Sequence, residues 1–113
     1  MMLLFKEQHI PLILSGQKTQ TRRLWPKGKR VNVGSIQQAR TKMLDSKSTF
    51  AYLEIKRVWQ EELNDISHAD AQAEGYDTGG EYIQAFMKIN RIPPSKFDEA
   101  LTMKLWCVEF VVL

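Results

Sequence analysis

Leu14-Ser15-Gly16-Gln17-Lys18-Thr19-Gln20-Thr21-Arg22-Arg23-Leu24-Trp25 sets a glycine, a lysine, a threonine and an arginine at the spacing G-x-K-x-x-T-x-R. With ordinary residue usage, four such fixed positions meet by chance about once per thousand chains of this length. Upstream, Ile10-Pro11-Leu12-Ile13-Leu14-Ser15 reads as one or two helical turns with proline in the first turn, where its missing N–H costs nothing. Gly16 then falls where a left-handed residue closes a helix. Downstream, Lys18–Leu24 reads as a strand, so Thr21 and Arg23 share one face and Lys18 sits at the bend.

Lysine, threonine and two arginines in one short stretch make an electropositive pocket. Neighbouring cations and burial both disfavour a protonated amine. Lys18 can then act as a general base, with the Thr21 hydroxyl or a bound water as its proton source and an arginine as donor to a developing oxyanion. Those are the parts for amide or ester hydrolysis, and equally for a phosphate-binding pocket. Solvated strand side chains are the plain alternative. The stretch lacks G-x-x-x-x-G-K-[ST], so it is not a nucleotide P-loop.

At these residues the chain resembles the ASCH domain (activating signal cointegrator homology), a small PUA-like β-barrel whose signature is G-x-K-x-x-T-x-R. The resemblance extends over most of the chain. It takes in Val31-x-Val33-Gly34, then Asp65-Ile66-Ser67 before an Ala-rich helix ending Glu74-Gly75-Tyr76, the helix Glu81–Asn90, and a final strand ending Val108-Glu109-Phe110. It implies an α+β fold: a PUA-like mixed β-barrel of about five or six strands with two or three short helices packed around it. It also implies an RNA- or nucleoside-related role. Some small bacterial members hydrolyse N(4)-acetylcytidine with a lysine, a threonine and a glutamate, which fall here on Lys18, Thr21 and Glu74, with Arg23 beside them. Two features depart from the family pattern: the long Ile92–Met103 connection, and Arg22 directly before Arg23.

The 113 residues are expected to form a single domain, 1–113. No apolar run is long enough to cross a bilayer, and Met1–Phe5 is too short for a signal h-region. A single cysteine, Cys107, excludes an internal disulfide and points to a reducing, cytoplasmic setting. In an apolar strand it reads as a buried thiol rather than a nucleophile. The two histidines and one cysteine lack ligand spacing, so neither a metal nor another cofactor is expected. The net charge of +3 conceals an asymmetry: residues 1–60 carry 12 Lys/Arg against 3 acids, residues 61–113 carry 4 against 10. A basic half suits a polyanion, or the acidic half of the same fold.

Taken in order, Met1–Lys6 reads as a strand and Glu7–Ser15 as the short helix, with His9 at its start a cap or surface residue, or else a ligand contact. Trp25–Arg30 is a loop in which Lys27, Lys29 and Arg30 grip phosphate while Trp25 stacks on a base, or in which Trp25 simply joins the core. Val31–Gly34 reads as a brief strand and turn, Ile36–Leu44 as a strand with one wet face, and Phe50–Trp59 as a strand with Ala51, Leu53, Ile55 and Arg57 on one side. Ser67 caps a helix from Ala69 to Glu74 that stops at Gly75. A carboxylate at a helix C-terminus opposes the macrodipole, so Glu74 calls for a partner, Lys18 or an arginine, unless it is merely exposed. Thr78 caps a helix that buries Tyr82, Phe86 and Ile89 as core, with Ile83 and Met87 flanking. Arg91–Met103, with a turn of helix at Phe97–Leu101, is a lid or a plain connection. Leu105–Leu113 is an apolar strand.

Two functional readings follow. One is an RNA- or nucleoside-binding module without membrane or metal, using Arg22, Arg23, Lys18, Lys27, Lys29 and Arg30 on phosphate and Trp25 or Tyr76 on a base. The other is an amidohydrolase converting N(4)-acetylcytidine to cytidine and acetate. In it Lys18 is the base, Thr21 the nucleophile or water-positioner, Glu74 a proton relay or base-edge acceptor, and Arg23 the oxyanion donor. An interaction domain with neither activity is the plain third.

Overall fold

The computed structural model of the chain describes residues 2–113; Met1, the first residue of the expected N-terminal strand, lies outside them. Five strands and four short α-helices form: β1 (Met2–Leu4), α1 (Ile10–Leu14), β2 (Gln20–Arg23), β3 (Ile36–Arg40), β4 (Thr49–Glu62), α2 (His68–Ala73), α3 (Gly79–Ile89), α4 (Phe97–Leu101) and β5 (Lys104–Val112). The strand order in the sheet is β1-β3-β4-β5-β2. β1 runs parallel to β3 and every other pairing is antiparallel, which gives the mixed sheet the resemblance implies. β1 and β2 stand at opposite edges of that order, yet a side chain links them: Arg23 Nη2 donates to the Leu4 carbonyl at 2.6 Å.

β5 is apolar apart from Lys104 and Glu109 because it feeds two cores. Val108 and Phe110 enter a core with Leu3, Phe5, Ile13, Leu53 and Ile55. Leu105 enters a second core with Leu63, Ala71, Tyr82, Phe86 and Met87. A strand buried on both faces has no polar side to alternate with. The two cores therefore lie on either side of the sheet, and side chains of alternate parity on one strand serve both.

Several sequence expectations change here. β4 carries a bulge between Ile55 and Arg57. Up to Ile55 the odd positions face the core. Beyond the bulge Val58 packs inward and Arg57 turns out, to bond Glu109 at 3.1 and 3.2 Å. A one-residue slip moves every later side chain to the other face, which period-two reading cannot foresee. Val31–Gly34 is a turn rather than a strand, although Val31 is buried in the first core. On α3 the buried residues are Tyr82, Phe86 and Met87, while Ile89 is 46% exposed. The Arg91–Met103 connection does contain α4, but α4 lies on the second core through Ala100 and does not cover the motif. No helix is long and apolar enough to cross a membrane among the described residues.

Capping works as the sequence indicates: Ser67 Oγ accepts from Asp70 N–H at 3.0 Å and Thr78 Oγ1 from Glu81 N–H at 3.1 Å. α1 ends at Gly16 with φ +80°, and α2 ends at Gly75 with φ +100°. Gly75 has a second constraint, because a Cβ there would stand 3.0 Å from Leu12 Cδ1. Gly75→Ala is therefore expected to cost roughly 1–2 kcal/mol, through backbone strain plus contact with α1. Urea denaturation checks this, and a loss under a few tenths of a kcal/mol would contradict it.

Candidate functional site

The motif segment is fastened on both sides. Lys18 N–H donates to the Leu12 carbonyl (2.9 Å), Thr19 N–H to the Ala73 carbonyl (2.8 Å), and the Thr19 carbonyl accepts from Phe110 N–H (2.9 Å). This brings the bend before β2 against the C-terminus of α2, and so Lys18 against Glu74, 56 residues later in the chain.

Lys18 is 2% exposed. Its Nζ donates to three acceptors: the Gln20 carbonyl at 2.9 Å, the Glu74 carbonyl at 2.7 Å and Glu74 Oε1 at 3.0 Å. An ammonium has three N–H donors, and all three are occupied. Burial lowers the Lys18 pKa; the Glu74 carboxylate pulls against that, and Arg23 and Arg22 add to the lowering. The cation also sits on a C-terminal carbonyl of α2, where the macrodipole favours it. Glu74, 3% exposed, thus has the partner its position called for. It has two, because Oε2 accepts from Arg22 Nη1 at 3.1 Å.

Arg22, expected on phosphate, is turned toward carboxylates of its own chain. Its side chain is 1% exposed. It bonds Gln20 Oε1 (2.9 Å), Glu61 Oε1 (2.9 Å), Asp70 Oδ2 (3.2 Å) and Glu74. Burial opposes its charge, but the Glu74 charge and the bonds to Glu61 and Glu74 raise its pKa overall. The guanidinium is committed to three carboxylates and lies over Trp59, 5.8 Å from the ring centre. Glu61, Asp70 and Gln20 went unread in the sequence. Glu61 and Asp70 reach Arg22 from β4 and α2, far along the chain, while Gln20 is its same-face neighbour two residues back on β2.

Thr21 and Arg23 do share one face of β2. Arg23 Nε donates to Thr21 Oγ1 at 2.9 Å, and its Cζ lies 5.1 Å from the centre of the Phe5 ring. Burial lowers the Arg23 pKa, with Glu74 opposing. Among the described residues no carboxylate pairs with Arg23; its partners are a hydroxyl, a carbonyl and a ring. Thr21 bonds Arg23 rather than Lys18, so the amine–hydroxyl contact imagined for a base and its proton source is absent among the described residues.

These groups floor a cleft of about 370 Å³ lined by Lys18, Thr21, Arg22, Arg23, Glu74, Trp25 and Tyr76, all read from the sequence, by His9, one of whose two readings was a ligand contact, and by Tyr82, Lys6 and Thr41, which were not read as site residues. Trp25 both lines the cleft and packs against the first core. Tyr76 meets Tyr82 edge-on at 5.6 Å and His9 at 6.0 Å. His9 Nε2 lies 3.4 Å from the Tyr76 hydroxyl. The imidazole pKa falls to about 4, mainly through burial and then through Lys18 and Arg23, so the ring is neutral at pH 7. Burial, then Glu74, raises the Tyr76 pKa. The sequence sign of His9 was its place in the first turn of the helix that ends at Gly16, which doubles it back beside Lys18. Lys27, Lys29 and Arg30 are exposed and do not line the cleft. They follow Trp25 through a tight turn in which Gly28 N–H donates to the Trp25 carbonyl at 3.2 Å. Cys107 is buried, its thiol pushed up to about 12 by burial. Among the described residues no three His, Cys, Asp or Glu side chains group as metal ligands.

Fold and site define a small α+β protein with a buried cation–carboxylate network under an aromatic-walled cleft. No protein-family model matches the sequence, and no curated protein matches it. Solved structures do. An ASCH domain from Lactobacillus crispatus JV V101 superposes with a TM-score of 0.72 at 19% identity, over 99% of this chain and 77% of its own. A protein of Enterococcus faecalis V583, described by the family model DUF984, gives 0.68 at 22% identity, over 100% and 82%. ZmASCH from Zymomonas mobilis gives 0.56 at 12%, over 96% and 65%. The chain has the ASCH-domain fold.

Proposed function

We propose that this chain is an ASCH-family protein that binds RNA or a nucleoside in the cleft. The observation that carries the reading is Arg23, a guanidinium without a carboxylate partner among the described residues, set between Phe5 and the cleft lined by Trp25, Tyr76 and neutral His9. Flat aromatic walls take a base by stacking, and a fixed donor reads its edge. A cleft of about 370 Å³ is at the small end of ligand sites, suited to one nucleoside rather than a folded partner. Lys27, Lys29 and Arg30 extend the electropositive surface from Trp25 for a phosphate backbone. A cytoplasmic setting belongs to the same reading, supported by the single free thiol.

The test is a titration with single-stranded RNA across a salt series, and with cytidine. Binding is expected to weaken steeply with salt. Neutralising Lys27, Lys29 and Arg30 together is expected to lower the slope of log K against log salt by about 2, at about 0.7 per charge. An unchanged slope removes these three from the interface, and no binding of RNA or cytidine removes the reading.

A second reading is hydrolysis of N(4)-acetylcytidine, supported by Lys18, Thr21, Glu74 and Arg23 lining one cleft and by burial drawing the Lys18 pKa down. With all three Nζ protons donated, a base role requires one to pass to Glu74 Oε1, 3.0 Å away. Thr21 then is the nucleophile or positions the attacking water, and Arg23 holds the oxyanion. Incubation with N(4)-acetylcytidine and mass detection of cytidine is expected to show turnover that Thr21→Ala abolishes. Binding without turnover leaves only the first reading.

A further inference from the structure

We propose that the cleft seats an anionic oxygen of its ligand, from a phosphate monoester or a carboxylate, between the Arg23 guanidinium and the hydroxyl of Tyr82, with the Thr21 hydroxyl as third donor. This rests on the reading of the cleft as the binding site and says which ligand group is held there.

Two independent features carry it. The first is charge. The cleft is lined by one carboxylate, Glu74, already bonded to Lys18 and Arg22. Arg22 is further balanced by Glu61 and Asp70. Arg23, half-buried, is left with neutral partners, and a charge drawn partly out of water without a counter-charge carries a cost that an anion would relieve. The second is Tyr82. It is 5% exposed and lines the cleft, yet its hydroxyl has no hydrogen-bond partner among the described residues, although a buried phenol ordinarily finds one. The hydroxyl is not sealed away: the one sealed side-chain polar atom without a partner among the described residues is Gln37 Oε1. It therefore opens on the cleft. Burial, and then Glu74, raises the Tyr82 pKa well above its usual value, so the phenol remains a donor. Thr21 Oγ1 accepts from Arg23 and keeps its own proton to donate. Three donors and no free acceptor of negative charge suit an oxyanion, bonded more strongly than a neutral oxygen.

The experiment is calorimetric titration of the full chain with cytidine, cytidine 5′-monophosphate, inorganic phosphate and acetate, repeated on Tyr82→Phe. The monophosphate is expected to bind at least about tenfold more tightly than cytidine, and Tyr82→Phe to lose about tenfold for the anionic probes with unchanged melting temperature. Phosphate against acetate tells which oxyanion is preferred, and binding of either supports the seat. Phosphate binding as tightly as the monophosphate keeps the anion seat and removes nucleobase recognition. Equal affinity for cytidine and its monophosphate overturns the anion seat and leaves the nucleobase reading standing. Tyr82→Phe without effect on the anionic probes, or binding of none of them, also overturns it.

Discussion

Glu74→Gln is expected to lower the unfolding free energy by about 3–5 kcal/mol, the typical cost of leaving buried charges without their partner. The glutamine keeps the shape and one carbonyl oxygen. It loses the charge that faces Lys18 at 3.0 Å and Arg22 at 3.1 Å, both almost wholly buried. Domains of this size have about 5–15 kcal/mol to lose, so the variant is expected to melt far below the parent. Urea unfolding with an unchanged slope is the measurement. Adding Lys18→Met to Glu74→Gln is expected to return much of the loss, because an apolar replacement of a buried pair is often close to neutral. A loss below about 1 kcal/mol, the range of surface pairs, would mean that water reaches the pair and that the network does not organise the cleft.

The second large effect is on acid stability. His9 has a pKa near 4 in the folded protein against 6.5 for an ordinary imidazole. Between those values the unfolded chain binds the extra proton and the folded chain does not, so stability falls as pH falls from 6.5 to 4, and no further through this group below that. The displacement corresponds to at most roughly 3 kcal/mol, and solvent entering through the cleft brings it to about 2 kcal/mol. Carboxylates protonate in the same region, so the informative quantity is the difference between the parent and His9→Gln. That difference is expected to shrink or reverse across the window by about 2 kcal/mol. A flat difference from pH 7 to 4 would place the imidazole in open solvent.

Thr21 and Arg23 were legible because strand alternation is a local rule: two residues apart means the same face. The left-handed closure at Gly16, the helix stop at Gly75 and the caps at Ser67 and Thr78 were legible for the same reason. Glu74 was legible as an anomaly, a carboxylate at the wrong end of a helix. That it would find Lys18 and Arg22 together was not. The bulge after Ile55 was not either, since it depends on how β4 pairs with β5. Tyr82 shows the limit differently. Its helical spacing marks it as core, and it does pack in the second core, yet it also lines the cleft.

Local chemistry along the chain was enough for most of the elements, the helix ends, the basic first half and the shared face of Thr21 and Arg23, because propensity, capping and alternation act over a few residues. Which cations are neutralised was settled only by folding. Arg22 and Arg23 are adjacent and chemically identical, and β2 turns one toward three carboxylates and leaves the other with none as a partner among the described residues. A strand points neighbours to opposite sides, and what waits on each side is contributed by segments tens of residues away.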